Sequence, residues 1–326
     1  MSQTSIYLRS VVTLAAFFVL ILANVGNAHA GDFDFAKTKA FIREMDTRPD
    51  FPVNMVLAHD YVYSLASIGD NINPKEAAAA EAFIKANQHL DGGFSSDKHD
   101  KETSILYTVH ALETLALIKL PPAIDLGRAR TFINSLKNAD GGFGFSANAK
   151  ESSLNNTYNA VRSLSLLNSV NMVDAAKTAA YVKGFEHKEG GFGYVKGTGI
   201  ASAKFTYMAA YILKELGKLD EATKANALKY LNTSAYGKGT KGKVDSLQML
   251  EEMGYTIDAL KLLGASSKID LKKANGIVKQ VYVKQNGGFG PIPGYGSTPD
   301  STFLGLRLLV GAGKLKTPVQ YPLVKK

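Results

Sequence analysis

The 326-residue chain has no Cys and no Trp, is 45% apolar, and carries a formal charge of +9 from 38 basic and 29 acidic side chains. That apolar content supports a sizeable core and excludes both a disordered chain and an array of membrane spans. The lysines are scattered instead of gathered in a stripe with interleaved aromatics, which argues against nucleic acid as a partner. Without Cys, stability must come from packing alone.

The first predicted element is a leader. Val11 to Ala23 is the one long apolar run, with Arg9 before it as the only charge and Ala28-His29-Ala30 closing the segment in a small-x-small pattern. This predicts a signal peptide over residues 1–30, cleaved after Ala30, and a single domain over 31–326. The alternative is an uncleaved N-terminal anchor, although the run is short for a membrane span. No Cys follows the cleavage site, so a lipoprotein anchor is excluded. Cleavage removes Arg9 and no acid, so the charge falls from +9 to +8 on an exported chain, periplasmic or secreted, with no stable span. Attraction to anionic lipid or envelope polymers stays open.

A repeat organises the rest. Its turns read Asp91-Gly92-Gly93-Phe94, Asp140-Gly141-Gly142-Phe143, Gly190-Gly191-Phe192 and Asn286-Gly287-Gly288-Phe289. The first three Phe are spaced by 49 residues and the last follows after 97, so a degenerate copy lies between, at Tyr236-Gly237-Lys238-Gly239. Before the turns come amphipathic stretches, Lys75 to His89, Ile124 to Asn138, Val173 to Glu186, Asp220 to Asn232 and Leu271 to Lys284, which predict outer helices with one wet face. After them come stretches that are apolar on most faces: around Tyr61, Tyr107, Tyr158 and Tyr207, over Val244 to Met253, and around Phe303. These predict inner, buried helices. Gly supplies positive φ where the chain reverses, and Phe is expected to plug the gap between helix pairs. Six pairs with no polar capping segments predict an all-α toroid of about 49-residue repeats, closed by packing the last pair on the first.

With these turns and helices the chain resembles the prenyltransferase and squalene-cyclase repeat family, in particular the β subunits of protein prenyltransferases, over about residues 50 to 315. The resemblance implies an (α/α)6 barrel whose inner funnel holds an isoprenoid chain. Tyr107, Tyr158, Phe205, Tyr207 and Phe303 fall at inner-helix positions suited to lining it, and His110 is the leading polar group there; filling of the barrel centre by these side chains is the alternative. The resemblance also implies zinc ligands from an Asp-x-Cys pair and a His. Here Asp245 remains, Leu247 stands where the family has Cys and Ser301 where it has His, so no zinc cofactor is expected. Lys238 and Lys241 match, with one extra residue, the family's basic pair for the leaving diphosphate; a solvated loop is the alternative. Asp97 and Asp100 around His99 read as a polar loop.

The expected function is therefore a secreted toroid that binds an isoprenoid or other lipid chain, with zinc-dependent transfer lost. Alternatives are an active geranylgeranyl transferase-like or terpene cyclase-like enzyme, and an envelope scaffold for a protein partner.

Overall fold

Serine, threonine, asparagine and aspartate punctuate the chain where helices begin. Their side chains accept the N–H three residues on: Asn54, Ser104, Ser153, Ser202 and Thr298 open inner helices, and Asn73, Asp125, Asp174, Asp220 and Asp270 open outer ones. The computed structural model describes residues 32–46, 52–70, 72–239 and 248–324. The expected signal peptide, Lys241, Asp245 and Leu247 lie outside them.

Among the described residues are twelve α-helices. The outer ones are α1 (Phe35–Asp46), α3 (Pro74–Ala86), α5 (Leu126–Ser135), α7 (Ala175–Lys183), α9 (Glu221–Thr233) and α11 (Leu271–Val281). The inner ones are α2 (Met55–Ser67), α4 (Ile105–Leu117), α6 (Leu154–Leu166), α8 (Ala203–Glu215), α10 (Met249–Leu262) and α12 (Pro299–Gly311). Each inner helix packs on the next, and α12 packs on α2, so the inner ring of this unit, residues 35–326, is closed. None of the described helices is long and apolar enough to cross a membrane.

The Gly-Gly-Phe turn is a joint between successive repeats. Phe94, Phe143, Phe192 and Phe289 are almost wholly buried, each worth roughly 1.5–3 kcal/mol of burial. Their backbone N–H groups donate to Thr108, Thr157, Thr206 and Thr302 on the following inner helix, at 3.3, 3.1, 3.0 and 3.1 Å. The first Gly has positive φ and also gives way to the next repeat's outer helix: a Cβ on Gly141 would lie 2.7 Å from the Lys177 carbonyl oxygen. The last turn seats on the first outer helix in the same way, with Thr38 Oγ1 donating to the Gly287 carbonyl at 2.7 Å, as Thr178 does to Gly141. The second Gly is not at positive φ, except for Gly191; what it needs is space, since a Cβ on Gly142 would lie 2.6 Å from the Tyr181 ring.

Three expectations change. Four of the outer helices end three residues early, because Gln88, Lys137, Glu186 and Tyr282 leave the helix to pair with the Phe of their own turn, whereas the one before the degenerate turn runs one residue longer, to Thr233. The fifth inner helix does not stop at Met253 but continues to Leu262. Gly254 costs about 1 kcal/mol inside a helix, less than burial of Ile257 and Leu260 returns. The fourth repeat adds a hairpin, β1 (Phe192–Val195) and β2 (Thr198–Ser202), turned on Lys196-Gly197 with Gly197 at φ +69°.

Candidate functional site: a two-ring chamber

The inner ring encloses a chamber of about 610 Å³, within the range of ligand cavities. At one level each inner helix contributes an aromatic or imidazole ring to its wall: His59, His110, Tyr158, Tyr207, Tyr255 and Phe303. Ring centroids of His59 lie 5.2 Å from His110 and 5.5 Å from Phe303. Tyr207 lies 5.9 Å from Tyr158 and 5.5 Å from Tyr255. Tilted and edge-on packing of this kind is the favoured arrangement for aromatic pairs.

One helical turn toward the C-terminal ends of the inner helices, about 5 Å along them, stands a second ring. Tyr63, Glu113, Arg162, Asp258 and Arg307 line it. Arg162 Nε donates to Glu113 Oε1 at 2.9 Å, and Arg307 donates to Asp258 Oδ2 at 2.6 Å. Arg162 also reaches the Tyr211 hydroxyl and Gln320 Oε1, both at 3.3 Å, while the Arg307 guanidinium sits 4.3 Å from the Tyr255 ring centroid. Gln320 belongs to the C-terminal tail, which crosses this end of the ring with Tyr321 N–H donating to the Ala116 carbonyl at 2.6 Å.

These charges set one another. Burial works against the charged forms of Arg162 and Arg307, and the carboxylates of Glu113 and Asp258 more than offset it, so both guanidiniums are held above their ordinary range. Glu113 also pays for burial, yet Arg162 and the two histidines keep its pKa below the usual value. His59 is buried, but the hydrogen bond to Asp60 at 3.1 Å and the field of Glu113 raise its pKa. His110 goes the other way: burial and the neighbouring His59 lower it. Its Nδ1 faces the Leu106 carbonyl at 2.7 Å, an acceptor only, so Nδ1 carries the proton and Nε2 is the free base. Burial pushes Tyr63 up to about 12 and raises Tyr158 and Tyr207 as well, so all three stay neutral donors.

Of the residues expected in the funnel, His110, Tyr158, Tyr207 and Phe303 line the chamber. Tyr107 and Phe205 do not. They stand three and two residues before His110 and Tyr207 on their helices, and Phe205 stacks on exposed Tyr194 of the hairpin at 5.6 Å. Lys238 is exposed and turned to the neighbouring outer connection, donating to the Ser267 carbonyl at 3.1 Å, away from the chamber. Ser301 is buried in the first turn of α12, tied to the capping Thr298. Asp97 accepts from the N–H groups of His99 and Asp100, a local turn, and no cluster of three metal-ligating side chains occurs among the described residues. The charged ring, with His59, Tyr63 and Tyr255, is what sequence reasoning missed. Its signal is the repeat itself, because Glu113 to Arg162 and Asp258 to Arg307 are each spaced by 49 residues.

This closed ring of helix pairs has known counterparts. The family model described as "Prenyltransferase alpha-alpha toroid domain" matches residues 36–248 and 245–321. The chain belongs to this family. Candida albicans protein geranylgeranyltransferase-I complexed with GGPP is similar in structure, with a TM-score of 0.69 and 18% identity over 88% of this chain and 94% of that one. The type II terpene cyclase MstE from Scytonema is similar with a TM-score of 0.57 and 12% identity, over 90% and 98%. No curated protein sequence matches the chain. At such identities the likeness is one of fold, and chemistry must be argued from the chamber.

Proposed function

We propose that the protein is an exported toroid that holds an isoprenoid or similar lipid chain in its central chamber, without zinc-dependent prenyl transfer. The observation that carries this reading is the ring of six aromatic and imidazole side chains, one from every repeat, around a cavity of about 610 Å³. Aromatic rings held by tilted and edge-on contacts suit a flexible unsaturated chain better than aliphatic walls do, and they stay in place when the chain leaves. The solved structures with this fold add support, since one is complexed with GGPP and another is a terpene cyclase. Leu247 and Ser301 at the family's Cys and His positions support the loss of zinc chemistry, as Asp245 alone does not make a zinc site. The leader over residues 1–30 supports export.

Native mass spectrometry with geranylgeraniol, which tests the chain without a charged head, decides the matter. One molecule retained per protein at micromolar concentration, weakened by Tyr207→Ala, is the expected result. No retained molecule overturns the reading.

A second reading, an envelope scaffold for a protein partner, has its own observation. Phe145, Tyr194, Ile200 and Tyr295 are exposed, and all lie in the connections from a turn to its inner helix, Tyr194 and Ile200 on the two strands of the hairpin. Crosslinking of the exported protein to a single partner, reduced by Tyr194→Ser with Ile200→Ser, would favour it.

A further inference from the structure

The charges in the chamber are distributed unevenly along its axis. Four cations line it, Arg162, Lys204, Lys261 and Arg307, against two carboxylates, Glu113 and Asp258. At one end, in the first turn of α8, Lys204 is already neutralised by Glu251 at 2.8 Å. In the charged ring toward the other end, Arg162 is committed to three acceptors: Glu113, Tyr211 and Gln320. Arg307 donates to Asp258 and to Tyr255, on whose ring it also lies. A guanidinium has five donors in a fixed fork, which matches a carboxylate edge. Lys261, one turn beyond Asp258 on α10, adds a further positive charge at the same end.

Resting on the chain-binding reading above, we propose that the chamber's ligand carries a carboxylate on the end of the lipid chain, that this head seats on Arg307 with the exposed Lys261 beside it, and that the chain runs through the aromatic ring toward the Lys204 end. A carboxylate taken out of water is costly unless it is paired and hydrogen-bonded, and the charged ring is where the chamber offers that pairing. A single negative charge fits. A diphosphate, with more charge, would face Glu113 and Asp258 across the same ring, so the chemistry selected is that of a prenyl or fatty acid.

Equilibrium binding of farnesol, farnesoic acid and farnesyl diphosphate to the full mature protein tests this. The expected order places the acid about tenfold or more tighter than the alcohol, with the diphosphate weaker than the acid. The acid-to-alcohol ratio is then read in two variants, each self-normalised for changes in folding. Arg307→Gln combined with Asp258→Asn, which leaves no unpaired charge, should bring the ratio toward one, and should lower it more than Lys204→Gln does. Equal binding of acid and alcohol, or a larger fall in Lys204→Gln, overturns the placement of the carboxylate on Arg307 while leaving chain binding standing. Absence of binding by all three ligands overturns both.

Discussion

Arg162 Nε and Glu113 Oε1 lie 2.9 Å apart although 49 residues separate them in the chain, one repeat of the toroid. The pair spans α4 and α6 as Asp258 and Arg307 span α10 and α12, so two ion pairs brace the inner ring at one level. Removing one partner leaves a largely buried charge. Glu113→Leu should cost roughly 3–5 kcal/mol in urea denaturation, and adding Arg162→Met should recover most of it. Additive losses in the double variant would mean that the pair is not coupled.

The turn predicts a ranking. Gly141→Ala and Gly217→Ala both place a side chain at positive φ, at +91° and +64°, but only the first meets the neighbouring helix, whereas Gly217 faces open space. Gly141→Ala should therefore be the more destabilising of the two, the difference isolating the contact with α7. Phe143→Ala should cost roughly 3–5 kcal/mol by cavity formation. Thr157→Val, which strands the Phe143 N–H, should cost about 1–3 kcal/mol.

The two histidines should titrate apart. His59 faces Asp60, Glu113 and Arg307 and has a raised pKa, so its contribution to stability is complete below about pH 6.5 and is lost as pH rises through its folded value. His110, lowered by burial and by His59, contributes stability above about pH 6.5 that is lost as pH falls through its folded value. Glu113 adds a third loss on the acid side, below about pH 4.3. Imidazole NMR titration should find His59 above and His110 below the free value, with Glu113→Gln lowering His59. Coincident titration near the free value would contradict this.

Zinc gives a further test. The wild-type protein should retain no zinc after dialysis, whereas Leu247→Cys with Ser301→His should gain affinity by completing a three-ligand set with Asp245. Stoichiometric zinc on the wild type would restore the transferase reading.

The scaffold was legible in the sequence because its joint is written in glycine and phenylalanine: positive φ, close helix approach and a buried ring each demand a particular residue at Gly141, Gly142 and Phe143. Even the degenerate turn of the fifth repeat, at Tyr236-Gly237, follows from the spacing. The chamber was legible in part. Tyr158 and Tyr207 line it but Tyr107 and Phe205 do not, since two or three residues on a helix turn a side chain by most of a right angle or more, and aromatic content does not say which face is inward. The charged ring was hidden for a different reason. Glu113, Arg162, Asp258 and Arg307 stand apart in the sequence, and only the packing of successive inner helices, one 49-residue repeat apart, makes them partners.

A crystal structure of the protein grown with geranylgeraniol tests the central claim most directly. Continuous density for the chain between Tyr158, Tyr207, Tyr255 and Phe303 is the predicted result. A chamber left without the chain, or a chain bound on the outer surface, would contradict it.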